Sequence, residues 1–493
     1  MAKWSFMLLN YQKQWFGHIR KDILAGLVVG LALIPEAISF SVIAGVDPSV
    51  GLYAAFSMAV VIAFVGGRPA MISAATGAMA LLMVTLVKEH GLQYLFATTI
   101  LTGLLQITIG KIRLARLMRF VPKPVVIGFV NSLAIVTFMA QLPQLIHVPY
   151  AVYGLVALGL LIIYLFPKIP KIGQMLPPSL VCIIVLTVIT LFLGVSVKTV
   201  GDMGHLPHSL PVFLLPDIPL TLQTLWIILP YAVAMAFVGL LESVMTAKLI
   251  DQITHTESNK HQECIGQGIA NIVTGFLGGM AGCAIIGQSM INVKSGARGR
   301  LSTFIAGAFL LTLVLFLTGW LKVIPMAALV AVMIVVCIHT FNWQSITQFK
   351  KQPVSNNVVM IVTVAVVLYS HNLALGVLAG VLVSALSLVA QLEQSIEVEA
   401  LPISEHTQTY KVRGQLFFSS SDIFLKAFDF NIEAVHHVVI DLTATDVWDI
   451  NAVDTLDLVV QQYQHHQIKC SVIGLNERSL MMMQRYGRDS ALA

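Results

Sequence analysis

Apolar residues form long runs between residues 23 and 392, and short polar turns separate these runs. A helix needs about 20 mostly apolar residues to cross a hydrocarbon core of about 30 Å. Fourteen segments approach this length if some of them borrow flanking residues: 23–44, 51–65, 76–87, 96–109, 124–142, 152–166, 179–193, 225–247, 267–277, 285–293, 301–320, 324–339, 357–369 and 373–392. The pattern predicts an α-helical polytopic membrane protein with 14 transmembrane segments.

The distribution of basic residues tests this count independently, because cytoplasmic loops are enriched in Lys and Arg. With a cytoplasmic N-terminus, the loops after even-numbered segments hold 15 basic residues and the loops after odd-numbered segments hold three. The larger set is Arg68, Lys111, Arg113, Arg116, Arg119, Lys123, Lys168, Lys171, Lys248, Lys260, Lys294, Arg298, Arg300, Lys350 and Lys351, and the smaller set is Lys88, Lys198 and Lys322. We therefore predict that both termini lie in the cytoplasm.

The pattern changes after residue 392, where charged residues return and apolar runs become short. Alternating positions predict strands, and longer periodic stretches predict helices. The predicted strands are 409–412, 415–418, 438–442 and 470–473, and the helix-like stretches are 421–430 and 453–465. This order is typical of a small α/β domain. We predict a cytoplasmic N-terminal segment (1–22), a transmembrane domain (23–392) and a cytoplasmic α/β domain (393–493).

Composition excludes several classes of protein. Of the 493 residues, 57% are apolar and 11% are charged, which is about half the charged fraction of soluble domains. The net charge of +5 comes largely from basic residues beside apolar segments, which indicates membrane orientation rather than nucleic-acid binding. The five cysteines are scattered, and no nucleotide-binding loop or Ser/His/Asp cluster stands out. We expect no metal site, no cofactor and no enzymatic activity.

Two of the predicted segments are short and begin at glycine-rich breaks. Residues 72–80 read ISAATGAMA, and residues 278–288 read GGMAGCAIIGQ. The breaks fall in segments 3 and 10, seven apart, which is the spacing of two seven-segment halves related by an inverted repeat. Two half-helices whose N-termini meet near the midplane would offer free N–H groups and partial positive charge to an anion. The alternative interpretation is an ordinary pair of glycine-rich helix contacts.

Two carboxylates lie inside apolar segments. Glu36 follows a proline in segment 1, and Glu242 lies in segment 8. A charged carboxylate at the centre of a span costs at least about 2.5–3.5 kcal/mol on insertion scales. Because protonation removes this cost, both residues are candidate proton carriers, and Thr246 lies one helical turn from Glu242 and could orient it. The alternative is a structural role, in which Glu36 holds the bend at Pro35.

Other polar residues inside apolar stretches are more typical of contacts between helices than of ligands. These residues are Gln106, Asn131, Gln141 and His339.

Four motifs together resemble those of the SulP anion transporters, the sulfate permeases. They are DPSVGLYAA at 47–55, AATGA at 74–78, GLLES at 239–243 and INVKSGAR at 291–298. The C-terminal region resembles the STAS domain that follows the membrane part in this family. The resemblance implies a seven-plus-seven inverted repeat with core and gate domains, an elevator-like motion and a homodimer.

The resemblance also implies a substrate site at segments 3 and 10, and this sequence departs from the family there. The implied substrate-binding residues are Thr76, Gly77, Ala78, Ile286, Gly287 and Gln288. Gln288 stands where many relatives have Arg, which weakens tight binding of a divalent anion. Ile286 stands where a cyanobacterial bicarbonate member has a hydroxyl residue for sodium, so the sequence favours protons as the coupling ion.

We therefore expect a secondary active transporter of small anions, such as sulfate, bicarbonate, chloride or dicarboxylate, in a bacterial inner membrane. The expected coupling is proton symport through Glu242, Glu36 and Thr246. Sodium-coupled bicarbonate transport and a neutral nucleobase carrier of the same architecture stay open as alternatives. A channel or structural membrane protein is a further alternative, against which the intramembrane carboxylates argue.

Overall fold

The computed structural model describes residues 11–113, 121–169, 177–194, 196–207, 209–370, 372–432 and 435–487. The chain divides into two compact units, Met1–Val381 and Leu382–Ala493. Three of the basic residues used for the topology prediction, Arg116, Arg119 and Lys171, lie outside the described residues.

Helices follow the predicted apolar segments in order. They are α1 (Ile19–Ala44), α2 (Pro48–Val65), α3 (Gly77–His90), α4 (Leu92–Lys111), α5 (Lys123–Gln141), α6 (Tyr150–Leu165), α7 (Pro178–Leu193), α8 (Leu222–Thr254), α9 (Lys260–Phe276), α10 (Ile286–Lys294), α11 (Arg300–Phe316), α12 (Met326–Thr340), α13 (Val354–Ser370) and α14 (Leu373–Glu393). Short helices at Thr318–Lys322 and Trp343–Thr347 and 3₁₀ turns at Leu142–Leu145, Phe166–Lys168 and Val200–Met203 lie between them.

Helix boundaries differ from the predictions where a polar turn belongs to a helix. Helix α9 begins at Lys260, well before the predicted residue 267, because Asn259 caps it by accepting a hydrogen bond from the Gln262 amide. Helix α8 likewise continues past residue 247 to Thr254. The predicted segment 301–320 is interrupted at Leu317, after which a separate five-residue helix begins.

Seven of the described helices are long and apolar enough to cross a membrane: α1, α2, α4, α5, α6, α8 and α14, with α5 and α6 extended by their 3₁₀ turns. Helices α7, α11, α12 and α13 are apolar but shorter. Large apolar side chains on α7 are exposed along one face, at Ile184, Val188 and Leu191, which is the spacing of a helix face turned to lipid. The count of 14 spans stays a prediction.

The helices pack in pairs that repeat after seven elements. Helix α1 packs on α11 and α8 packs on α4; α4 packs on α9 and α11 packs on α2. Helix α5 packs on α13, and α12 packs on α6. Within each of these three sets, the second pair follows from the first if each helix number is shifted by seven and the count returns to α1 after α14. This exchange is the arrangement that two inverted seven-helix halves produce. It also separates one group, α1–α4 with α8–α11, from another that contains α5–α7, α12 and α13.

The two glycine-rich breaks are extended strands rather than irregular backbone. Strand β1 (Ser73–Ala75) pairs antiparallel with β2 (Gly282–Ala284), and Ala74 lies opposite Cys283 at the centre. The pairing satisfies backbone groups that a membrane interior would otherwise leave without partners. Asn271 on α9 completes it, since its side chain both accepts from the Gly282 amide and donates to the Gly282 carbonyl.

The second unit contains a four-stranded sheet in the order β3 (Glu397–Ala400), β4 (Thr407–Leu416), β5 (His437–Val447) and β6 (Lys469–Ile473). β3–β4 is antiparallel, and the other two pairs are parallel. The helices are α15 (Ser421–Lys426), α16 (Ile450–His465) and α17 (Glu477–Tyr486). The two predicted strands at 409–412 and 415–418 were wrong as separate elements, because β4 runs through Gly414 with only a register shift. Strand β3 and helix α17 were not predicted.

Candidate functional site

A cavity of about 340 Å³ lies between the two groups of helices in the first unit. Helices α1, α8 and the N-termini of α3 and α10 form one wall, and helices α5 and α12 form the other. Its lining residues are Glu36, Phe40, Thr76, Gly77, Phe129, Val130, Leu133, Ala134, Thr137, Glu242, Met245, Ile285, Ile286, Gly287, Gln288, Ile291, Val336, Cys337, His339 and Thr340. The volume lies at the lower end of the range of small-molecule pockets, which is ample for a small ion with several waters.

The N-termini of α3 and α10 both open on this cavity, because the paired strands β1 and β2 lead directly into them. The first-turn N–H groups of a helix have no carbonyl partner within the helix. They also carry the positive end of the helix dipole, so each terminus is suited to an anion. Gly77 of α3 and Ile286, Gly287 and Gln288 of α10 bring such amides to the cavity wall.

The two termini differ in how crowded they are. A Cβ built on Gly77 would lie 3.0 Å from the Phe40 ring and 3.3 Å from the Thr137 hydroxyl. A Cβ built on Gly287 would have no atom within 4 Å. The open space of the cavity therefore lies beside the first turn of α10.

Glu36 reaches the cavity from α1 and is 7% exposed. The side-chain amide of Gln288 donates a hydrogen bond to its Oε1. This contact joins the first turn of α10 to α1 across the wall of the cavity. An ionised Glu36 would repel an anion bound beside the first turn of α10, because charges interact strongly in a low dielectric. Glu36 is therefore a group whose protonation would favour anion binding.

Glu242 reaches the same cavity from α8 and is also 7% exposed. Its carboxylate accepts a hydrogen bond from the Cys283 thiol at 3.1 Å, and the Cys283 sulfur lies 3.2 Å from the Thr76 hydroxyl. The chain from Glu242 through Cys283 to Thr76 connects α8, β2 and the N-cap of α3. The expected orientation of Glu242 by Thr246 is not observed, because the Thr246 hydroxyl donates to the Glu242 backbone carbonyl at 2.8 Å.

The structure brings most of the sequence-predicted residues to one place. Those that line the cavity are Glu36, Thr76, Gly77, Glu242, Ile286, Gly287 and Gln288. Ala78 and Thr246 are fully buried and do not line it. In the case of Ala78, the side chain points into packed protein, and only its backbone amide belongs to the open end of α3.

Sequence reasoning missed Cys283 and the opposite wall. Cys283 lies in the second glycine-rich break, but three small residues carry no strand periodicity that would have revealed which way its side chain points. For Thr137 and His339, the sequence shows only a polar residue in an apolar span, which does not predict that they line a cavity. Gln106 and Asn131 make the expected contacts between helices: Gln106 accepts from Asn271 at 2.9 Å, and Asn131 donates to Ser345 at 2.9 Å.

Among the described lining residues there is no Lys or Arg. Positive potential comes from the two helix N-termini, equivalent to roughly half a charge each, and His339 is a titratable basic group in the same lining. The two carboxylates would exceed this potential if both were ionised. Ionised carboxylates would therefore oppose the binding of an anion in this cavity.

Long apolar helices in inverted pairs, strand-broken helices that meet at a cavity and a C-terminal α/β domain define a polytopic membrane transporter. The model of the Sulfate permease family matches residues 19–157 and 144–365, and the STAS domain model matches residues 400–492. The chain is 52% identical over 474 residues to the "Putative sulfate transporter YbaR" of Bacillus subtilis, covering 96% of this chain and 98% of that protein. The chain belongs to the sulfate permease family.

More distant relatives share the membrane part. The bicarbonate transporter BicA of Picosynechococcus is 28% identical over 360 residues, covering 66% of this chain and 63% of that protein. Among solved structures, the transmembrane domain of a cyanobacterial BicA superposes with a TM-score of 0.64 at 24% identity, over 75% of this chain and 98% of that one. The murine Solute Carrier 26 family member A9 anion transporter, in its inward-facing state, gives a TM-score of 0.79 at 15% identity over 96% and 88%. These likenesses establish the fold.

Proposed function

We propose that this protein is a proton-coupled secondary transporter of small anions, which bind in the cavity between the N-termini of α3 and α10. The observation that carries the proposal is the composition of that cavity: two helix N-termini, two carboxylates and the imidazole of His339, with no Lys or Arg among the described lining residues. Helix N-termini attract the anion, and the carboxylates supply groups that must take up protons before it can bind. Family membership supports the transport function.

Glu242 is the principal coupling residue of this proposal, and Glu36 is the second. Glu242 accepts a hydrogen bond from Cys283 of β2. A change in its protonation would therefore alter a contact with the strand that precedes α10. The proposed binding residues are Thr76, Gly77, Ala78, Ile286, Gly287 and Gln288, of which Gly77, Ala78 and Gly287 act through their backbone amides. Hard cations need several oxygen ligands. The apolar Ile286 lines the cavity at the position where the family resemblance implies a hydroxyl ligand for sodium.

The position of the cavity between two groups of helices supports an elevator-like mechanism. The group containing α1, α3, α8 and α10 would carry the anion, and the group containing α5 and α12 would stay fixed. In the fully protonated state the substrate-loaded cavity holds little net charge, which lowers the cost of moving it through the membrane. We further propose a homodimer in a bacterial inner membrane with both termini in the cytoplasm.

The anion is proposed from the names of relatives, which include sulfate and bicarbonate transporters. Purified protein in proteoliposomes should therefore be tested with labelled sulfate, bicarbonate and chloride, each with and without inward proton and sodium gradients. We expect at least one anion to accumulate with the proton gradient alone. If uptake strictly required sodium, sodium rather than the proton would be the coupling ion. Absence of flux for all three anions would contradict the transport function.

The Glu242→Gln variant tests the coupling residue, because glutamine imitates the protonated carboxyl group. We expect pH-driven uptake to fall to background while anion exchange continues. The matched control is Glu89→Gln, which removes an exposed carboxylate at the end of α3 and should transport like the wild type. Acceleration of uptake by the proton gradient in the Glu242 variant would refute its assignment.

A further inference from the structure

A second, larger cavity of about 1000 Å³ lies at one end of the first unit, on the side predicted to be cytoplasmic. Four stretches of chain form it: residues 11–21 near the N-terminus and the connections α2–β1, α8–α9 and α10–α11. Its lining residues are Tyr11, Gln14, His18, Lys21, Gly66, Gly67, Arg68, Pro69, Ala70, Thr254, Thr256, Glu257, Asn259, Gln262, Gly296, Arg298 and Arg300. None of them belongs to the anion cavity described above.

The charged side chains of this cavity are mostly basic. Among the described lining residues, Lys21, Arg68, Arg298 and Arg300 face a single carboxylate, that of Glu257. The one ion pair recorded for the four basic residues in the described chain joins Arg68 to Asp251 at 3.3 Å.

Two carboxylates behind the wall are already engaged by the backbone. Asp22 accepts from the amides of Arg298 and Gly299 at 2.9 and 3.1 Å. Glu263 accepts from the amides of Gly67 and Arg68 at 2.7 and 3.0 Å. These bonds hold the loops in place and partly offset the buried positive charge. Because both carboxylates are used in this way, Glu257 is the one carboxylate among the described lining residues that faces the basic side chains.

Arg68 has unused hydrogen-bonding capacity. It is only 8% exposed, and its terminal nitrogens donate to the hydroxyl groups of Thr254 and Thr256, at 2.5 and 2.8 Å. Its Nε is buried and has no hydrogen-bond partner in the described structure. Burial lowers the pKa of Arg68 below its ordinary value, although Asp251 opposes this effect. A buried donor without an acceptor is costly. Since Arg68 lines the cavity, a small shift of its side chain would let an anion there accept from Nε.

The surroundings of the cavity are those of a membrane interface. Helices α1 and α11 begin there and α2 ends there, so the cavity lies where the spans meet the headgroup layer. The Trp15 ring packs against Phe64 at 4.8 Å between ring centroids, as in aromatic belts. On the same N-terminal stretch, Phe16, Ile19 and Leu24 are exposed apolar side chains. A basic pocket beside an exposed apolar surface matches a molecule with an anionic head and acyl chains.

We propose that this cavity binds the phosphate headgroup of an anionic phospholipid, such as phosphatidylglycerol or cardiolipin. Arg68, Lys21 and Arg298 would surround the phosphate, and the acyl chains would lie along the exposed apolar residues of α1. Arg300 would add positive charge to the wall, since its guanidinium already donates to Gln14, Ala63 and Gly66. Basic pockets between transmembrane helices are suited to such headgroups. The bound lipid would fasten the N-terminal stretch to the loops that precede β1 and α11. This proposal does not depend on which anion the protein transports or on its coupling ion.

The test compares lipid binding by the full-length protein and by a double variant, Lys21→Gln with Arg298→Gln. Both side chains are exposed. Because Arg298 also donates to the carbonyls of Val293 and Ala297, thermal stability in pure phosphatidylcholine serves as the check on folding of the double variant. The matched control, Lys350→Gln with Lys351→Gln, removes two exposed basic residues far from the cavity in sequence. Each protein is placed in nanodiscs of phosphatidylcholine with increasing phosphatidylglycerol. Thermal stability is measured, and lipids retained in detergent are counted by native mass spectrometry.

We expect phosphatidylglycerol to stabilise the wild type and the control, and its apparent affinity for the double variant to be about 30-fold weaker, since each basic residue near an anionic lipid surface contributes roughly a factor of five. Inorganic phosphate added to phosphatidylcholine nanodiscs should give no stabilisation. Equal lipid retention by the double variant and the control would overturn the proposal. Stabilisation by inorganic phosphate as strong as that by phosphatidylglycerol would show that free phosphate, rather than lipid, is the ligand.

Discussion

The two strand-broken segments share one plan but present different chemistry to the cavity between them. Each has a three-residue strand of small residues followed by a helix whose N-terminus faces the cavity. Helix α3 is capped by Thr76, whose hydroxyl accepts from the Met79 amide, whereas Ile285 provides no side-chain cap for α10. In addition, the cavity is open at Gly287 and crowded at Gly77.

This difference suggests that the two helix starts contribute unequally to anion binding. An N-cap side chain satisfies one of the free amides at a helix start, so α3 has one fewer donor to offer an anion. Helix α10 keeps its first-turn amides for the ligand and contributes Gln288, which is bonded to Glu36. We therefore propose that the second half contributes most of the anion binding and that the first half mainly positions it through strand pairing.

The largest effect is expected from breaking the strand pair on which both halves depend. In Gly282→Ala, the new Cβ would lie 2.3 Å from the Ala74 carbonyl oxygen, a contact with backbone that cannot rotate away. Overpacking of this kind costs about 1–3 kcal/mol. We expect transport to be lost and the thermal midpoint to fall. Both are measured on protein purified in detergent and reconstituted into liposomes.

The control for this substitution is Gly154→Ala on α6, where a Cβ would meet no atom within 4 Å. It should leave stability and flux close to those of the wild type, or raise stability slightly through helix propensity. If Gly282→Ala retained full activity, the close pairing of β1 with β2 would not be required for the site.

The fold was largely predictable from the order of apolar segments, because each span must satisfy its own hydrogen bonds and bury or expose its side chains to lipid. The seven-segment offset of the two glycine-rich breaks predicted the inverted repeat. The strand pair itself was not predicted, since three small residues carry no periodicity. Strand β3 was missed for a similar reason, because its four residues include two acids and only one residue with high β-propensity.

The site was predicted for residues whose chemistry is unusual in lipid, which are Glu36, Glu242 and the glycine-rich helix starts. The partners of those residues depend on contacts between distant parts of the chain. Gln288 and Glu36 are separated by 252 positions and Cys283 and Glu242 by 41, so neither pair could be deduced from spacing. The role given to Thr246 followed helix geometry alone, which does not reveal that its hydroxyl is used by the backbone.

An intermediate effect is expected from giving α10 the cap that it lacks. In Ile285→Ser the hydroxyl can accept from the amides of Gly287 or Gln288, which removes donors from the anion. Because a hydrogen bond to a charged group is worth about 1.5–3 kcal/mol, anion affinity should fall about 10-fold or more. Ile285→Ala shortens the side chain without adding an oxygen and is the control. An equal loss of affinity in both variants would attribute the effect to packing rather than to capping.

The smallest effect is expected from removing the cap that α3 has. Thr76→Ala leaves the Met79 amide without its acceptor, which typically costs about 1 kcal/mol. Met79 is fully buried away from the cavity, so the freed amide should not increase anion affinity. The variant should therefore be less stable in thermal unfolding. Its anion affinity should fall less than that of Ile285→Ser, because only the Thr76 hydroxyl is lost from the cavity wall and the α10 amides stay available. Thr76→Ser keeps the hydroxyl and should restore most of the stability. If the serine variant were as unstable as the alanine variant, the threonine methyl group rather than the cap would stabilise α3, and the proposed contrast between the halves would lose its basis.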